Sequence, residues 1–343
     1  MNDQKLKWGI LGTGGIAHKL AGAINESKLG SLCAVGSRSQ ETAERFANEF
    51  GIPKRYSTYQ EVLDDSEVQA IYISLPNHLH AEWTIRSAKA RKAILCEKPF
   101  TVNRAEAEKA LLAVKEADVF FMEAFQYRCH PIMGRINDLL HNKAIGNLKV
   151  IHASFQYNLG PRYENIRLSN PAAGGGIMDV GCYTAAFARM AAGAALGQPF
   201  AEPIRVKGCA YLGAISRVDE QAVASLEFPE GIMASLACGT QLEGDTTVQL
   251  FGSEGSLAIP FLWVPPAHGS KIILRRSGKD AEEILMETNA NPYSIEADMV
   301  AESCAKGLKE AIAPAMSYAD TLGNMLLLDR WRQEAGLIFD VER

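Results

Sequence analysis

Apolar and polar positions along the first third of the chain alternate between short apolar runs and longer amphipathic stretches. The stretches predict helices at residues 16–25, 40–50, 81–91 and 104–117. The apolar runs predict β-strands at residues 6–11, 31–35, 68–75, 93–96 and 119–124. The second helix stops before Gly51, a residue suited to a left-handed helix cap. Strands alternating with helices of this length form a parallel sheet covered on both faces, so we predict a doubly wound α/β domain over residues 1–124.

The rhythm changes after residue 125, where period-two alternation replaces the helical stretches. The strands predicted here cover residues 149–157, 205–212, 222–228, 232–238, 246–251, 256–259 and 271–275. Residues 228–231 and 252–255 are short enough to be hairpin connections, and two helices, at 295–311 and 318–335, close the chain. We predict that residues 125–343 form an α+β domain with a large, mostly antiparallel, open-faced sheet.

A sheet of this size with few helices leaves one face to be covered. Burial of such a face against a second copy of the chain is a common solution. We therefore expect a homodimer, or a dimer of dimers, formed through the carboxyl-terminal sheet.

Composition narrows the class of protein. The 343 residues suit two domains, and the formal net charge of −5 argues against a nucleic-acid partner. The sequence has no apolar run long enough for a membrane span, and its amino terminus enters a strand without the apolar segment of a signal peptide. The seven cysteines are scattered without a CxxC pair, which favours neither disulfides nor zinc. We expect a cytoplasmic protein.

A glycine-rich turn follows the first strand and opens the first helix. Its sequence, residues 12–17, is GTGGIA, the G-x-G-x-x-A form of the dinucleotide-binding (Rossmann) fingerprint. Gly12 permits the tight turn, Gly14 lets the backbone approach a pyrophosphate, and Ala17 keeps the helix close to the sheet. The alternative is an ordinary glycine turn. The residues predicted to bind the cofactor here are Gly12, Thr13, Gly14, Gly15 and Ile16.

The residues after the second strand bear on the choice of cofactor. An NAD site normally has a carboxylate here to hold the ribose 2′-hydroxyl, whereas this chain has Ser37 and Arg38. A hydroxyl and a guanidinium suit a 2′-phosphate. We predict NADP, with NAD possible; the alternative is that Arg38 only caps a surface loop.

Two further motifs lie at predicted strand ends, PNHLH at residues 76–80 and EKP at 97–99, and a third, GGGIMDVGCY, spans residues 174–183. Together with GTGGIA they resemble the glucose–fructose oxidoreductase and inositol dehydrogenase (Gfo/Idh/MocA) family over nearly the whole chain. Residues 122–131 and 165–171 resemble its branch of dimeric dihydrodiol dehydrogenases, NADP-linked xylose dehydrogenases and glucose–fructose oxidoreductase.

This resemblance implies an active-site lysine. In the family, the lysine of EKP reaches the reacting hydroxyl and the nicotinamide ribose, and the Lys–Pro bond is commonly cis, so Lys98 would lie over the cofactor. Glu97 would contact the cofactor or neighbouring backbone. The other predicted residues of this cofactor pocket are Leu75, Asn77 and His80. A metal site at His78 and His80 would lack a third ligand, so no metal is expected.

The resemblance places the second half of the site at residues 174–183. Asp179 and Tyr183 are four apart and would share one helix face. We expect Tyr183 to be the acid/base, Lys98 to polarise the substrate oxygen and tune the tyrosine, and Asp179 to orient the substrate or the lysine. In an equally physical variant, Lys98 carries the proton. Arg167 is expected to line the substrate pocket.

The expected activity is hydride transfer between NADP and a secondary alcohol or carbonyl of a sugar, cyclic polyol or dihydrodiol, as in carbohydrate metabolism. One alternative is an NAD-preferring inositol-type dehydrogenase, but many such members have histidine where this chain has Tyr183. Another is a dinucleotide-sensing regulator of the same fold, which need not keep both Lys98 and Tyr183. A third, the glucose–fructose oxidoreductase type, retains and recycles its cofactor, but is exported with a signal and an extra amino-terminal arm.

Overall fold

The structure, a computed structural model, describes residues 5–244 and 246–343. The described residues form two compact units. The first comprises Met1–Cys129 and Ala290–Tyr318, and the second His130–Asn289 and Ala319–Arg343. Residues 290–318 therefore belong to the first unit, whereas the sequence analysis assigned all of 125–343 to one domain.

Six parallel strands form the sheet of the first unit within the described residues, in the order β3-β2-β1-β4-β5-β6. They are β1 Leu6–Leu11, β2 Gly30–Gly36, β3 Lys54–Tyr56, β4 Ala70–Ile73, β5 Ala93–Glu97 and β6 Phe121–Ala124. The chain order reverses beside β1, which pairs with β2 on one side and β4 on the other. In a doubly wound sheet such a reversal opens a ligand-binding crevice at the carboxyl ends of the strands.

Helices cover both faces of this sheet, as the alternating pattern predicts. They are α1 Gly15–Glu26, α2 Gln40–Phe50, α3 Tyr59–Asp64, α4 His80–Lys89, α5 Arg104–Ala117, α6 Gln126–Cys129 and α9 Pro292–Ala305. Helix α2 ends at Gly51 with a φ of 68°, which confirms the left-handed cap. Helix α9 joins this unit because Ala297 and Val300 are buried in one apolar cluster with Leu20 and Ile24 of α1.

The second unit contains an eight-stranded sheet within the described residues, in the order β14-β13-β12-β11-β7-β10-β9-β8. Its strands are β7 Leu148–Gln156, β8 Arg205–Leu212, β9 Asp219–Glu227, β10 Met233–Gly239, β11 Val248–Gly252, β12 Gly255–Ile259, β13 Ser270–Arg276 and β14 Glu282–Met286. Within this sheet, the β7–β10 pair is the only parallel one among the described strands. The predicted mostly antiparallel sheet is confirmed.

The two faces of this sheet have different surroundings. Helix α8, Cys182–Ala195, is almost entirely buried and packs on the central strands β7 and β10. The remaining helices of the unit are α7 Pro131–His141 and α10 Tyr318–Ala335. The opposite face exposes apolar side chains along several strands, namely Tyr211, Val223, Met233, Phe251 and Leu285. None of the helices in the described residues combines the length and apolar character needed to cross a membrane.

Candidate active site

The glycine turn after β1 is shaped by its neighbours. Gly12 has a φ of 101°, and a Cβ at this position would lie 2.9 Å from the carbonyl oxygen of Ser74 and 3.2 Å from Leu75 Cδ2. An L-residue would therefore be both strained and obstructed. The side chain of Leu75, a residue predicted to line the cofactor pocket, lies against this turn.

The next two glycines leave an exposed surface at the amino end of α1. Gly14 is the N-cap residue and has no side-chain cap, and a Cβ on Gly14 or Gly15 would meet no atom within 4 Å. The first turn of α1 contains no acidic residue, so the positive end of the helix is not neutralised from within that turn. Thr13 and Ile16 flank the glycines and are half-buried. This arrangement fits a pyrophosphate.

The residues after β2 present a hydroxyl and a guanidinium. Ser37 is buried, with its Oγ 2.5 Å from the Oγ1 of Thr42, while Arg38 is exposed. Burial raises the pKa of Tyr59, and the nearby charge of Arg38 opposes that rise. The Arg38 guanidinium therefore lies in the electrostatic range of the Tyr59 ring. This edge fits the predicted 2′-phosphate better than a bare ribose.

His80 connects two strand ends. It begins α4 and is 1% exposed, with Nε2 2.7 Å from the carbonyl oxygen of Leu75 and Nδ1 2.9 Å from that of Pro99. Burial lowers the pKa of His80 to about 4, so the ring is neutral at neutral pH and donates to one of the two carbonyls. Each ring nitrogen lies beside one backbone carbonyl oxygen, and one of them carries the N–H that donates. The structure thus gives His80 a bracing role between the segments after β4 and β5, and its predicted contact with the cofactor remains a prediction.

Lys98 and Glu97 stand at the end of β5. The Lys98–Pro99 peptide bond is cis, as the family resemblance implies, and Lys98 is half-buried. Glu97 is buried, and its Oε1 accepts a 2.5 Å hydrogen bond from the hydroxyl of Tyr72 on the neighbouring strand β4. Asn77 lies in a single 3₁₀ turn, Asn77–Leu79. The phosphate turn, His80 and Lys98 all follow the carboxyl ends of parallel strands in the first unit.

A separate constellation forms in the second unit around Asp179. Its Oδ2 accepts a 2.5 Å hydrogen bond from the hydroxyl of Tyr157 and a 3.1 Å bond from Nε of Arg167, and Asp179 is only 9% exposed. The structure thus brings together Asp179 and Arg167, two of the predicted residues. Tyr157 is not among the predicted site residues. The sequence marks it only as the last position of the strand predicted at 149–157, and in the structure it directly follows β7.

The segment that carries Asp179 differs from the helix predicted to begin near Met178. Ile177–Gly181 is a π-helix, and α8 follows from Cys182. Because π-helical hydrogen bonds run from i to i+5, residues four and five apart lie close together around the axis, so the expectation that Asp179 and Tyr183 share one face stays a prediction.

Tyr183 lies in the first turn of α8 and is 6% exposed. Its ring packs edge-on against Phe155 at 5.2 Å and Trp263 at 6.0 Å between centroids. The indole of Trp263 in turn donates a 2.7 Å hydrogen bond to the carbonyl of Ser154. This aromatic group fixes the plane of the phenol ring.

Family models match both parts of the chain. Residues 6–125 match the model of an oxidoreductase family with an NAD-binding Rossmann fold, and residues 133–258 match the model of the GFO/IDH/MocA carboxyl-terminal domain. The chain belongs to the Gfo/Idh/MocA oxidoreductase family. For this Gfo/Idh/MocA protein, the predicted family, fold class and oxidoreductase class are therefore confirmed.

Three similar proteins align with most of this chain. A trans-1,2-dihydrobenzene-1,2-diol dehydrogenase from Xenopus laevis is 30% identical over 344 residues, covering 97% of this chain and 99% of that protein. D-xylose 1-dehydrogenase (NADP(+)) 2 from Haloferax volcanii is 30% identical over 296 residues, covering 85% and 87%. The crystal structure of KijD10, a 3-ketoreductase from Actinomadura kijaniata, in complex with NADP and TDP-benzene has a TM-score of 0.85 and 26% identity, covering 97% and 98%.

Proposed function

We propose that this Gfo/Idh/MocA protein is an NADP-dependent dehydrogenase or reductase that acts on a secondary alcohol or carbonyl of a sugar, cyclic polyol or dihydrodiol. The observation that carries the proposal is a half-buried amine, Lys98, at the same strand-end edge as an anion-accepting glycine turn. An amine there suits polarisation of an alcohol oxygen beside a bound dinucleotide.

In this proposal the first unit holds the cofactor. Residues 12–16 contact the pyrophosphate, Ser37 and Arg38 contact the 2′-phosphate, and Leu75, Asn77, Glu97 and Lys98 line the nicotinamide half. When bound, NADP accepts or supplies the hydride. His80 acts on this pocket by bracing the Leu75 and Pro99 carbonyls.

The second unit supplies groups that recognise hydroxyls. The carboxylate of Asp179 accepts hydrogen bonds, the guanidinium of Arg167 donates them, and the hydroxyl of Tyr157 donates to Asp179. Such a charged and polar set suits a polyhydroxylated substrate better than an apolar alcohol. The names of two relatives, a trans-1,2-dihydrobenzene-1,2-diol dehydrogenase and a D-xylose 1-dehydrogenase, support the same substrate class.

The proton is proposed to pass through Tyr183, with Lys98 polarising the substrate oxygen and favouring the phenolate. Lys98 as the proton carrier is kept as the variant mechanism, because a buried lysine loses its proton more easily than an exposed one. Asp179 orients the substrate in either version.

A substrate panel tests this function. We expect NADP reduction with at least one member of a set of aldoses, inositols and trans-dihydrodiols, and slower reduction of NAD with the same compound. Faster reduction of NAD with an inositol would replace the proposal with the inositol-type alternative. Tight NADPH binding without turnover on any member, in either direction, would instead support the regulator.

We also propose a homodimer formed through the exposed face of the second unit's sheet, in a cytoplasmic protein. The exposed row of apolar side chains on β8, β9, β10, β11 and β14 supports the dimer. The scattered, unpatterned cysteines support the reducing location.

A further inference from the structure

The carboxylate of Asp219 is buried beside the segment that carries Asp179. Asp219 begins β9 and is 0% exposed, and its Oδ2 accepts a 2.6 Å hydrogen bond from the backbone N–H of Ile177, the first residue of the π-helix. Its Oδ1 is buried with no hydrogen-bond partner in the part of the chain that the structure describes. A buried carboxylate with one satisfied oxygen is costly to keep, so it needs a compensating role.

The glycine run before the π-helix is shaped around this carboxylate. Gly175 has a φ of 105°, and a Cβ on it would lie 2.1 Å from Asp219 Oδ1. A Cβ on Gly176 would lie 3.2 Å from Asp219 Oδ2. The carboxylate occupies the space where a side chain on Gly175 would stand, whereas Gly176 lies against both the carboxylate and the backbone of Gly239. The GGG motif and Asp219 therefore form one structural unit, although more than forty residues separate them in sequence.

The unit determines where the π-helix starts. The N–H of Ile177 has no preceding helical turn to bond to, so Asp219 supplies its acceptor. Two residues later, Asp179 points its carboxylate at Tyr157 and Arg167, and Tyr183 follows in the first turn of α8. A shift of the starting residue would rotate both side chains, since they lie within two turns of it.

We propose that Asp219 is a positioning residue that fixes the start of the π-helix and thereby the placement of Asp179 and Tyr183. It touches neither cofactor nor substrate and acts through the backbone of Ile177. The positioning of the backbone is independent of the substrate; only its effect on turnover rests on the proposed function.

Hydrogen exchange tests the positioning without any substrate. In Asp219→Ala we expect the peptide covering residues 176–183 to exchange at least about tenfold faster, because the N–H of Ile177 loses its acceptor at the start of the π-helix. Asp219→Asn keeps one carbonyl acceptor for Ile177, so intermediate protection is expected, and this variant decides the matter if the alanine variant does not fold. The peptide spanning the β13–β14 hairpin should exchange as in the native chain.

Gly175→Ala gives a second, independent route to the same result. It should loosen residues 176–183 because its Cβ collides with Asp219 Oδ1, whereas the control Gly278→Ala, also at a positive φ of 72° but with open space around it, should not. Native protection of residues 176–183 in both Asp219→Asn and Gly175→Ala would overturn the proposal. Equal loosening throughout the second unit would also overturn it, because that would mean a general structural role.

Kinetics then tests the link to the active site. With a substrate identified in the panel, Asp219→Asn should raise KM and lower kcat several-fold while the affinity for NADPH, measured by fluorescence, stays unchanged. Unchanged kinetics alongside faster exchange would overturn the placement of Asp179 and Tyr183. If the native chain turned over no panel member, the proposed function would fail, yet the exchange result would still stand or fall alone.

Discussion

The Asp179 carboxylate shows how a single residue is specified by its neighbours. Two donors, Tyr157 and Arg167, converge on its Oδ2; Tyr157 directly follows β7, and Arg167 lies in the 3₁₀ turn Ile166–Leu168. Two sequence motifs, at residues 165–171 and 174–183, contain Arg167 and Asp179. The role of Tyr157 can be recognised only in the structure, where β7 places it opposite the π-helix. Burial and the Asp179 charge raise the pKa of Tyr157, so its hydroxyl remains a donor at physiological pH.

Tyr157→Phe tests this donor. The variant takes one donor from Asp179, the residue proposed to orient the substrate, so the substrate KM should rise several-fold. The melting temperature should fall by a few degrees as well, because the same bond stabilises the folded chain without substrate. Steady-state kinetics measures the effect, with Tyr163→Phe, an exposed tyrosine of the same loop, as the matched control. A KM equal to that of the native chain would remove Tyr157 from the site.

Arg38 is expected to decide between the two dinucleotides. In Arg38→Ser the Kd for NADPH should rise about tenfold or more while that for NADH stays nearly constant, because a charge-assisted bond to phosphate is lost. Fluorescence titration of both cofactors measures the ratio. The control is Arg45→Ser, an exposed arginine in α2. Equal weakening of both cofactors would point to a general structural effect instead.

Lys98 and Tyr183 carry separable parts of the proposed chemistry. Lys98→Met should abolish the hydride-transfer step, observed as a single-turnover change in NADPH absorbance, while NADPH still binds. Tyr183→Phe should lower that step by about a hundredfold or more, the usual contribution of general acid–base catalysis. Intact hydride transfer in Lys98→Met would refute the mechanism. Full activity in Tyr183→Phe would move the proton to Lys98.

At the scale of elements, the sequence predicts helices and strands that have local periodicity, but not elements whose start depends on residues far along the chain. Helices α2, α5 and α10 were predicted to the residue, and α2 and α5 begin at local side-chain caps, Ser39 and Asn103. The π-helix was not, since its start depends on Asp219, far along the chain. The short strand β3 and helix α3 were missed as well, because three and six residues give too little periodicity to recognise.

The link between β9 and the π-helix also predicts a pH dependence of stability. Burial raises the pKa of Asp219 to about 7, although backbone donors and the charge of Arg332 act to lower it. Cys238 lies within electrostatic range of Asp219, Cys182 and Asp179. Because the folded state holds the proton more tightly than the unfolded state, this group stabilises the fold most below its unfolded pKa of about 4, and the contribution declines as pH rises towards about 7.

Asp219→Asn removes that titration. The free energy of unfolding of the native chain minus that of the variant should therefore be larger at about pH 5 than at about pH 8. Urea unfolding at the two pH values measures it, and titrations elsewhere cancel because both proteins share them. A difference independent of pH would show that Asp219 is already ionised in the folded state at about pH 5.

At the scale of the whole molecule, the order of elements gives the architecture but not every boundary. Alternation predicted the parallel sheet, and period-two runs predicted the antiparallel one. The sequence does not predict that α9 belongs to the first unit, because its apolar positions would fit the core of either unit. In the structure, α9 shares an apolar cluster with Leu20 and Ile24 of the first unit. The roles of Lys98 and Tyr183 came from family resemblance rather than from patterning.

The exposed sheet face of the second unit carries the last prediction, the homodimer. Val223 belongs to this apolar row; it lies on β9, is 50% exposed, and stands opposite Ala237 of β10 and Cys209 of β8. Val223→Asp places a charge where a partner would desolvate it, which is strongly unfavourable, so light scattering coupled to gel filtration should show the mass fall from two chains to one. Leu112→Asp, at a 58% exposed position of α5 in the first unit, should leave the mass unchanged. A dimer that survives Val223→Asp would mean that another surface joins the copies, and a native chain that is monomeric at micromolar concentration would show that this face stays open to solvent.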